Sequence, residues 1–339
     1  MPAVPVPRQP SVFAKDLAMS LTRRQACTAL GAGLLHPALQ AAESGWPSKS
    51  IKVVMPYTPG GGADENARAV ADELQRILKV PVVVENRPGA VGAIAASHVI
   101  AQPADGYTLL VAPTSVLVVN LVTVKDLSYD PFRDLTPVHG LNISAPFIVA
   151  PANTAFAGLK QALQQAKAAG RPLNIGNYTE GYKLLATWVT SLEGAPATHI
   201  TYKGPANMMI DLVGGRLDLG LCDATSAVEL IKAGKVKALV QTGATRDAQA
   251  PDVPTMKELG YAELESYVWS SLSAKAGTPA PIVDALSRAT AQALKSPTVQ
   301  RQMQGKPGTT LDYGPADMLQ FQRRELARYQ KMAALTQKS

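Results

Sequence analysis

The sequence predicts an α/β fold arranged in two lobes, and three observations lead to this expectation. At 339 residues the chain is longer than one ordinary hydrophobic core accommodates. From Ile51 onward, short runs rich in β-branched residues alternate with stretches of helical periodicity, a succession typical of parallel, doubly wound sheets flanked by helices. No tandem repeat or long linker separates these elements, so strands or short crossings must join the lobes.

The first elements follow one another closely. A strand over 51–56 leads through a glycine-rich loop into a helix whose apolar residues share one face, namely Ala67, Val70, Ala71, Leu74, Ile77 and Leu78. A second strand over 81–85 is followed by a turn, a helix that ends near Ala101, and a third strand over 107–112. This order is that of two consecutive strand-helix-strand units.

The later elements repeat the same alternation. The sequence predicts further strands at 147–150, 173–176, 198–202, 219–222 and 236–242, with helices at 159–168, 184–192, 206–213, 226–232, 281–295 and 315–335. We place one crossing between lobes near 144–151 and the return near 264–273. Lobe 1 is therefore expected to be discontinuous, comprising 43–147 plus 268–339, with 148–267 inserted as lobe 2.

Composition and charge narrow the class of protein. Hydrophobic residues make up 46% of the chain and charged residues 17%, so it can bury a core and is not expected to be disordered. The formal charge of +7 is modest, and part of it lies in the first 42 residues. Because no Lys/Arg tract is interleaved with aromatic residues, the pattern argues against nucleic-acid binding and favours small anionic ligands.

The amino terminus resembles an export signal. Arg23 and Arg24 precede an apolar stretch over 26–42 that ends in small residues, so residues 1–42 are expected to be an extension and signal peptide that cleavage removes on export. The stretch is too short for a membrane span and contains Pro37. The general secretory or twin-arginine route, the cleavage site and a true start at Met19 stay open. Cleavage leaves Cys222 as the single cysteine, which excludes an intramolecular disulfide.

Two glycine-rich turns are the candidate binding elements. The segment 59–64 (PGGGAD) joins a strand to a helix, where glycines bring backbone N–H groups close to an anion. It lacks the Gly-Lys-Ser/Thr of a phosphate loop and the last glycine of the dinucleotide fingerprint, so no cofactor is expected. The alternative is a tight turn that Asp64 caps. The segment 176–181 (GNYTEG) is placed similarly in lobe 2, so the two turns are expected to hold opposite ends of one small anion.

Two charged residues near predicted strand ends each have two possible assignments. Lys203 precedes Pro205 at a predicted helix start, and it is either a part of that start or a ligand contact. Asp223 follows the strand 219–222, at the end of a strand where open sheets bind ligands, and it is either a ligand contact or a helix cap.

Catalysis is the alternative from a different class. Cys222 is the best candidate nucleophile for a hydrolase or transferase, but Asp223 beside it should raise the pKa of the thiol. His98, His139 and His199 are widely spaced, and neither an HExxH metal motif nor a Gly-x-Ser-x-Gly elbow occurs in the sequence. We therefore expect ligand binding without catalysis and without a metal.

Taken together, the segments resemble the substrate-binding proteins of tripartite tricarboxylate transporters, the Bug receptor family. The matching stretches run in order along the chain at 56–64 (PYTPGGGAD), 83–90 (VVENRPGA), 105–110 (DGYTLL), 129–131 (YDP), 202–204 (YKG), 211–215 (DLVGG), 232–235 (KAGK), 252–255 (DVPT) and 276–281 (AGTPAP). Any one of these stretches is weak by itself, whereas the ordered set is specific.

The resemblance implies a two-lobed periplasmic binding protein of type II, the Venus-flytrap kind, in which each lobe is a mostly parallel sheet flanked by helices. It implies a receptor, expected to be a monomer, that binds a small organic acid or amino acid and delivers it to the membrane subunits of a tripartite transporter. The alternative is a receptor whose liganded form signals to a membrane sensor kinase. With the turn chemistry above, the expected ligand-binding residues are Tyr57, Gly61, Gly62, Ala63, Asp64, Thr114, Ser115, Asn177, Tyr178, Thr179, Gly181, Lys203 and Asp223.

Departures from the family pattern concern the identity of the ligand. Ala63 stands where the family commonly has Thr, and Leu184 replaces a frequent His. Tyr178, Glu180 and the pair 182–183 (YK) replace a run rich in Ser and Gly. The negative charge of Glu180 is expected either to select an amine-bearing ligand or to exclude a dicarboxylate.

Overall fold

The computed structural model describes residues 45–59, 62–305 and 307–336. The expected signal segment, residues 1–42, lies outside the described residues, as does Gly61. Among the helices that are described, none combines the length and hydropathy that a membrane span requires.

The strands and helices alternate in chain order. The strands are β1 (Ile51–Met55), β2 (Val82–Asn86), β3 (Thr108–Pro113), β4 (Leu135–Ser144), β5 (Pro146–Pro151), β6 (Leu173–Asn177), β7 (Ala197–Thr201), β8 (Leu219–Asp223), β9 (Val236–Gln241), β10 (Val268–Lys275) and β11 (Thr309–Thr310). The helices are α1 (Gly62–Leu78), α2 (Ala93–Ile100), α3 (Asn120–Thr123), α4 (Pro131–Asp134), α5 (Leu159–Ala169), α6 (Glu180–Glu193), α7 (Pro205–Val213), α8 (Ala224–Lys232), α9 (Ala280–Leu294), α10 (Pro297–Met303) and α11 (Pro315–Thr336). A π-helical turn, Ser115–Val119, leads into α3.

The strands form two sheets, with the orders β11-β4-β10-β3-β1-β2 and β7-β6-β8-β5-β9. Pairing is parallel between β1 and its neighbours β2 and β3, and between β6 and its neighbours β7 and β8. The remaining pairs are antiparallel. The predicted α/β class with two helix-flanked sheets is confirmed, but both sheets are mixed rather than mostly parallel.

The antiparallel strands adjoin the connections between the sheets. The chain leaves the first sheet at Ser144 and enters the second at Pro146. Pro146 pairs with Asp223, the last residue of β8, and on the return Val268 pairs with Ser144. Each crossing strand therefore begins at the edge where its neighbour ends, and a strand that enters a sheet at that edge runs antiparallel to the strand that ends there.

The strands β4, β10 and β11 were not predicted, and in β4 the apolar pattern is interrupted by Pro137 and Gly140. The pairing of β4 with β10 contains two register shifts, and the second lies next to Pro137. Such irregularities accommodate a residue that lacks an N–H donor. A Cβ at Gly140 would collide with the Leu311 carbonyl oxygen, so the backbone of this strand approaches the segment after β11 closely.

One hydrophobic cluster contains buried residues of both sheets. It includes Val54 of β1 and Ile148 of β5, together with Phe321 and Tyr329 of α11. The helix α11 packs against β4 and also against α6. The carboxyl-terminal helix therefore supports the region where the sheets approach each other.

Candidate functional site

A cavity of about 120 Å³ lies between the two sheets. Its lining from the first sheet includes Tyr57 and Ser115, which follow β1 and β3. Its lining from the second includes Thr179 and Asp223, at the ends of β6 and β8. Carboxyl ends of parallel strands from both sheets therefore meet at this cavity, which is where open α/β sheets bind ligands.

Three helices begin at the cavity. Ala63 of α1, Gly181 of α6 and Thr225 of α8 each occupy the second position of their helix, and all three line the cavity. The first amides of an α-helix have no acceptor within the helix, and the helix dipole makes this end positive. The three helix starts together form an environment that favours an anion.

The caps of α6 and α8 leave amides available. The Thr179 hydroxyl accepts a hydrogen bond from the Tyr182 amide (3.2 Å), and the Asp223 carboxylate accepts one from the Ser226 amide (2.9 Å). In both helices the capped amide is the third, so the first two remain without an intrahelical partner. Gly181 is the second residue of α6, so its amide lies at the cavity wall.

Asp223 has three neutral partners. Its Oδ1 accepts from the Ser226 amide (2.9 Å), while its Oδ2 accepts from the Tyr178 hydroxyl (2.6 Å) and the Ser226 hydroxyl (2.7 Å). The Tyr178 hydroxyl also accepts from the Asp223 amide (2.9 Å). Within the described part of the chain no basic side chain pairs with this carboxylate, so its negative charge is not neutralised by an ion pair there.

Hydrogen bonds fix the first-sheet side of the cavity. The hydroxyls of Tyr57 and Ser115 lie 2.8 Å apart and share a hydrogen bond. The buried Thr114 hydroxyl donates to the Trp269 carbonyl (2.9 Å) and accepts from the Trp269 amide (2.7 Å). The end of β3 is thereby tied to β10, and Trp269 is held against the cavity.

The tyrosines that line the cavity remain neutral at physiological pH. Burial raises the pKa of Tyr57 and raises the pKa of Tyr329 to about 12. Burial, followed by the charge of Asp223, raises the pKa of Tyr182 well above its ordinary value. Since the lining contains no Lys, Arg or His among the described residues, Asp223 is its single charged group.

Seven of the residues predicted from the sequence line this cavity, namely Tyr57, Ala63, Thr114, Ser115, Thr179, Gly181 and Asp223. Gly62 begins α1 beside them. Four others do not line it. Asn177 is buried, Tyr178 contacts Asp223, Lys203 is exposed, and Asp64 is buried within a polar network.

The network of Asp64 supports the loop after β1. Asp64 accepts hydrogen bonds from Arg68 (3.0 Å) and from the Asn86 amide group (2.8 Å). The same Asn86 group donates to the Tyr57 carbonyl (2.9 Å). Asp64 and Asn86 therefore position the backbone of a residue that lines the cavity. Glu180, expected to influence selectivity, pairs instead with Lys183 at 3.8 Å and does not line the cavity.

Much of the lining was not predicted from the sequence. These residues lie near the two crossings or on helices, and include Asn66, Asn142, Ser144, Tyr182, Thr225, Ser266, Trp269 and Tyr329. Asn66 follows Ala63 by about one helical turn, so helical spacing alone could have predicted that it lies on the same face as Ala63. Trp269 and Tyr329 come from distant parts of the chain, and no local pattern indicates their position.

The candidate nucleophile of the sequence does not line the cavity. Cys222 is fully buried, and burial followed by the Asp223 charge raises its pKa well above the ordinary value, so the thiol stays protonated. A Ser-His-Asp chain exists elsewhere: His139 contacts the Ser287 hydroxyl and the Asp312 carboxylate, each at 3.0 Å. None of these three residues lines the cavity, and Ser287 is buried. In the described ranges no cluster of potential metal ligands occurs.

Comparisons with known proteins agree with this geometry. The sequence profile of the family described as "Tripartite tricarboxylate transporter family receptor" matches residues 66–335. The chain is 32% identical over 286 residues to the protein BugT of Bordetella pertussis, with 83% of this chain and 87% of BugT covered.

Two solved structures are similar over most of this chain. MatC from Rhodopseudomonas palustris, solved with bound malate, has a TM-score of 0.79 at 27% identity and covers 85% of this chain and 100% of its own. The periplasmic binding protein BugD has a TM-score of 0.78 at 28% identity, over 86% of this chain and 98% of its own. This likeness confirms the two-lobed periplasmic binding-protein fold.

Proposed function

The chain belongs to the tripartite tricarboxylate transporter receptor family, and from this premise we propose that it is an exported solute receptor that binds a small carboxylate between its two sheets. Family membership confirms the resemblance found in the sequence. The expected delivery of the ligand to the membrane subunits of a tripartite transporter is part of the same proposal, as is function as a monomer in the periplasm.

One observation carries the proposal. The second residues of α1, α6 and α8 all line a cavity that, among its described residues, has no basic side chain. Backbone amides at helix starts are therefore the groups available to a carboxylate, and hydrogen bonds to a charged group contribute about 1.5–3 kcal/mol each. The hydroxyls of Ser115 and Thr225, which also line the cavity, supply further donors.

The relatives support this chemistry. MatC was solved with malate, a small carboxylate, and its structure covers most of this chain. Here the ligand-binding residues are proposed to be the predicted residues that line the cavity. Asp64, Asn177 and Tyr178 do not line it and are proposed to support the residues that do. Lys203, which is exposed outside the cavity, is assigned no contact.

A catalytic function is disfavoured by the chemistry of the lining. Cys222 is a buried thiol with a raised pKa, and it does not line the cavity. A buried, protonated thiol is a poor nucleophile. We therefore propose binding without turnover.

A thermal-shift experiment tests the proposed function. Small mono-, di- and amino-carboxylates are compared with their carboxamides, which keep the shape and remove the negative charge. At a ligand concentration about 100 times Kd the native state gains about 2.7 kcal/mol, which raises Tm by roughly 4 °C for a chain of this size. Shifts with neutral sugars, and none with any carboxylate, would contradict the proposal.

A further inference from the structure

The cavity has a negative charge of its own. The described residues that line it include a carboxylate, Asp223, and no basic side chain. A ligand with two carboxylates would place its second negative charge in a small cavity beside that of Asp223. A single carboxylate at the helix starts leaves the charge of Asp223 to be compensated by another part of the ligand.

Asp223 retains capacity to accept a hydrogen bond. A carboxylate has about four lone-pair positions, two on each oxygen. The Oδ2 atom accepts two hydrogen bonds, from the hydroxyls of Tyr178 and Ser226, whereas Oδ1 accepts one, from the Ser226 amide. All three donors are neutral. One acceptor position on Oδ1 therefore remains, and among the described residues no cation pairs with the negative charge.

Aromatic side chains surround the same space. Tyr57, Tyr182, Trp269 and Tyr329 all line the cavity. Tyr182 lies close enough to Asp223 for the carboxylate to raise the pKa of its hydroxyl. The face of an aromatic ring attracts a cation within about 6 Å of its centre, and this attraction strengthens where water is excluded. Neutral aromatic rings beside one carboxylate are a suitable environment for an alkylammonium group.

An unpartnered acceptor points to the same chemistry. The Asn66 side-chain oxygen is buried at the cavity lining and has no hydrogen-bond partner among the described residues. A buried acceptor without a partner costs free energy, which a ligand donor removes. An ammonium group supplies three N–H donors, whereas a second carboxylate supplies none.

From these observations we infer that the ligand is a zwitterion, an amino monocarboxylate whose carboxylate lies at the helix starts and whose ammonium group lies against Asp223 and the aromatic side chains. This inference rests on the proposed function and narrows the class of ligand. It replaces the selectivity expected from Glu180, whose charge is paired with Lys183 outside the cavity.

Calorimetric titration of the full chain with matched ligands tests the inference. 4-Aminobutanoate, 4-hydroxybutanoate and glutarate share a carboxylate and a spacer of three methylenes, and they differ in the terminal group: ammonium, hydroxyl or carboxylate. The set is repeated with shorter and longer spacers and with 2-amino acids against 2-hydroxy acids. We expect the ammonium ligand of the best-fitting set to bind at least tenfold more tightly than its partners, because hydrogen bonds to charged groups are worth about that factor or more.

The substitution Asp223→Asn isolates the charge. Asn is as good a helix cap as Asp, so α8 keeps its start while the negative charge is removed. The ammonium ligand should lose about tenfold or more in affinity, whereas the hydroxyl and dicarboxylate ligands should not weaken. Asp252→Asn, which removes an exposed carboxylate that does not line the cavity, is the matched control and should change nothing.

The outcomes separate the inference from the proposed function. Dicarboxylates that bind more tightly than every amino acid would overturn the zwitterion assignment and leave carboxylate binding in place. An ammonium preference that survives Asp223→Asn would overturn the role of Asp223. Absence of binding by all carboxylates in the panel would overturn the proposed function as well.

Discussion

At the scale of single residues, the site depends on backbone groups more than on side chains. Gly181 illustrates this: its amide is the second of α6, and a Cβ placed on it would meet Val119, Thr179 and Tyr329 only at ordinary contact distances of 3.4–3.8 Å. The residue is therefore free of steric constraint from the fold, while a side chain there would occupy the cavity. A glycine at this position keeps the wall open for a ligand to reach the amide.

The substitution Gly181→Ala should weaken carboxylate binding by about tenfold without destabilising the protein. The methyl group takes space at the amide, and one lost hydrogen bond to a charge corresponds to that factor. Alanine within a helix is about 0.5–1 kcal/mol more favourable than glycine, so the stability of the unliganded protein should stay level or rise. Titration calorimetry and urea unfolding measure the two effects separately.

The control for this substitution is Gly158→Ala. Gly158 caps α5 in extended backbone, nothing lies within 4 Å of a Cβ placed there, and it does not line the cavity. The affinity of the Gly158→Ala variant for the ligand should equal that of the unmodified protein. Unchanged affinity in Gly181→Ala would show that the ligand does not reach the start of α6.

At the scale of elements, sequence patterns predicted the strands and turns that contribute the helix starts of the cavity, but they did not predict every element that lines it. The strand ends after β1, β3, β6 and β8 were predicted because short apolar runs and glycine-rich turns are local signals. The strand β4 was missed because Pro137 and Gly140 interrupt its pattern, although both are accommodated by irregular pairing with β10. Trp269 reaches the cavity through that pairing, which no local pattern contains.

The element β4 also carries a buried histidine that links it to α9. Burial lowers the pKa of His139, with Asp312 opposing this effect and Lys295 adding to it. The folded protein therefore keeps His139 neutral at pH values where the unfolded chain binds a proton. The resulting stability is present above the ordinary pKa of about 6.5 and is lost as pH falls towards the folded pKa.

The free energy of unfolding should consequently decrease as the pH falls below about 6.5, with a contribution from His139 of at most about 1.4 kcal/mol per pH unit. Urea unfolding at a series of pH values measures this slope. His139→Gln should reduce the slope, while the partly buried His199, whose pKa is also lowered by burial, leaves a remainder. An unchanged slope in the variant would show that His139 binds its proton equally in both states.

At the scale of the whole molecule, the cavity lies where the carboxyl ends of the parallel strands of both sheets meet. Both crossings lie there: β5 begins at Pro146 opposite Asp223, and β10 begins at Val268 opposite Ser144. All four residues line the cavity. The helix α11 contributes Tyr329 to the cavity while it packs against both β4 and α6. The expected division of the chain into two lobes, with boundaries at 147–148 and 267–268, remains a prediction.

The central claim is that the starts of helices from both sheets hold one carboxylate, and a crystal structure with the tightest-binding acid from the panel tests it most directly. The account predicts the ligand in the cavity, with its carboxylate oxygens within hydrogen-bond distance of the amide of Gly181 and of an amide in the first turn of α1 or α8. A ligand carboxylate held by basic side chains outside this cavity, or contacted by one sheet alone, would contradict it.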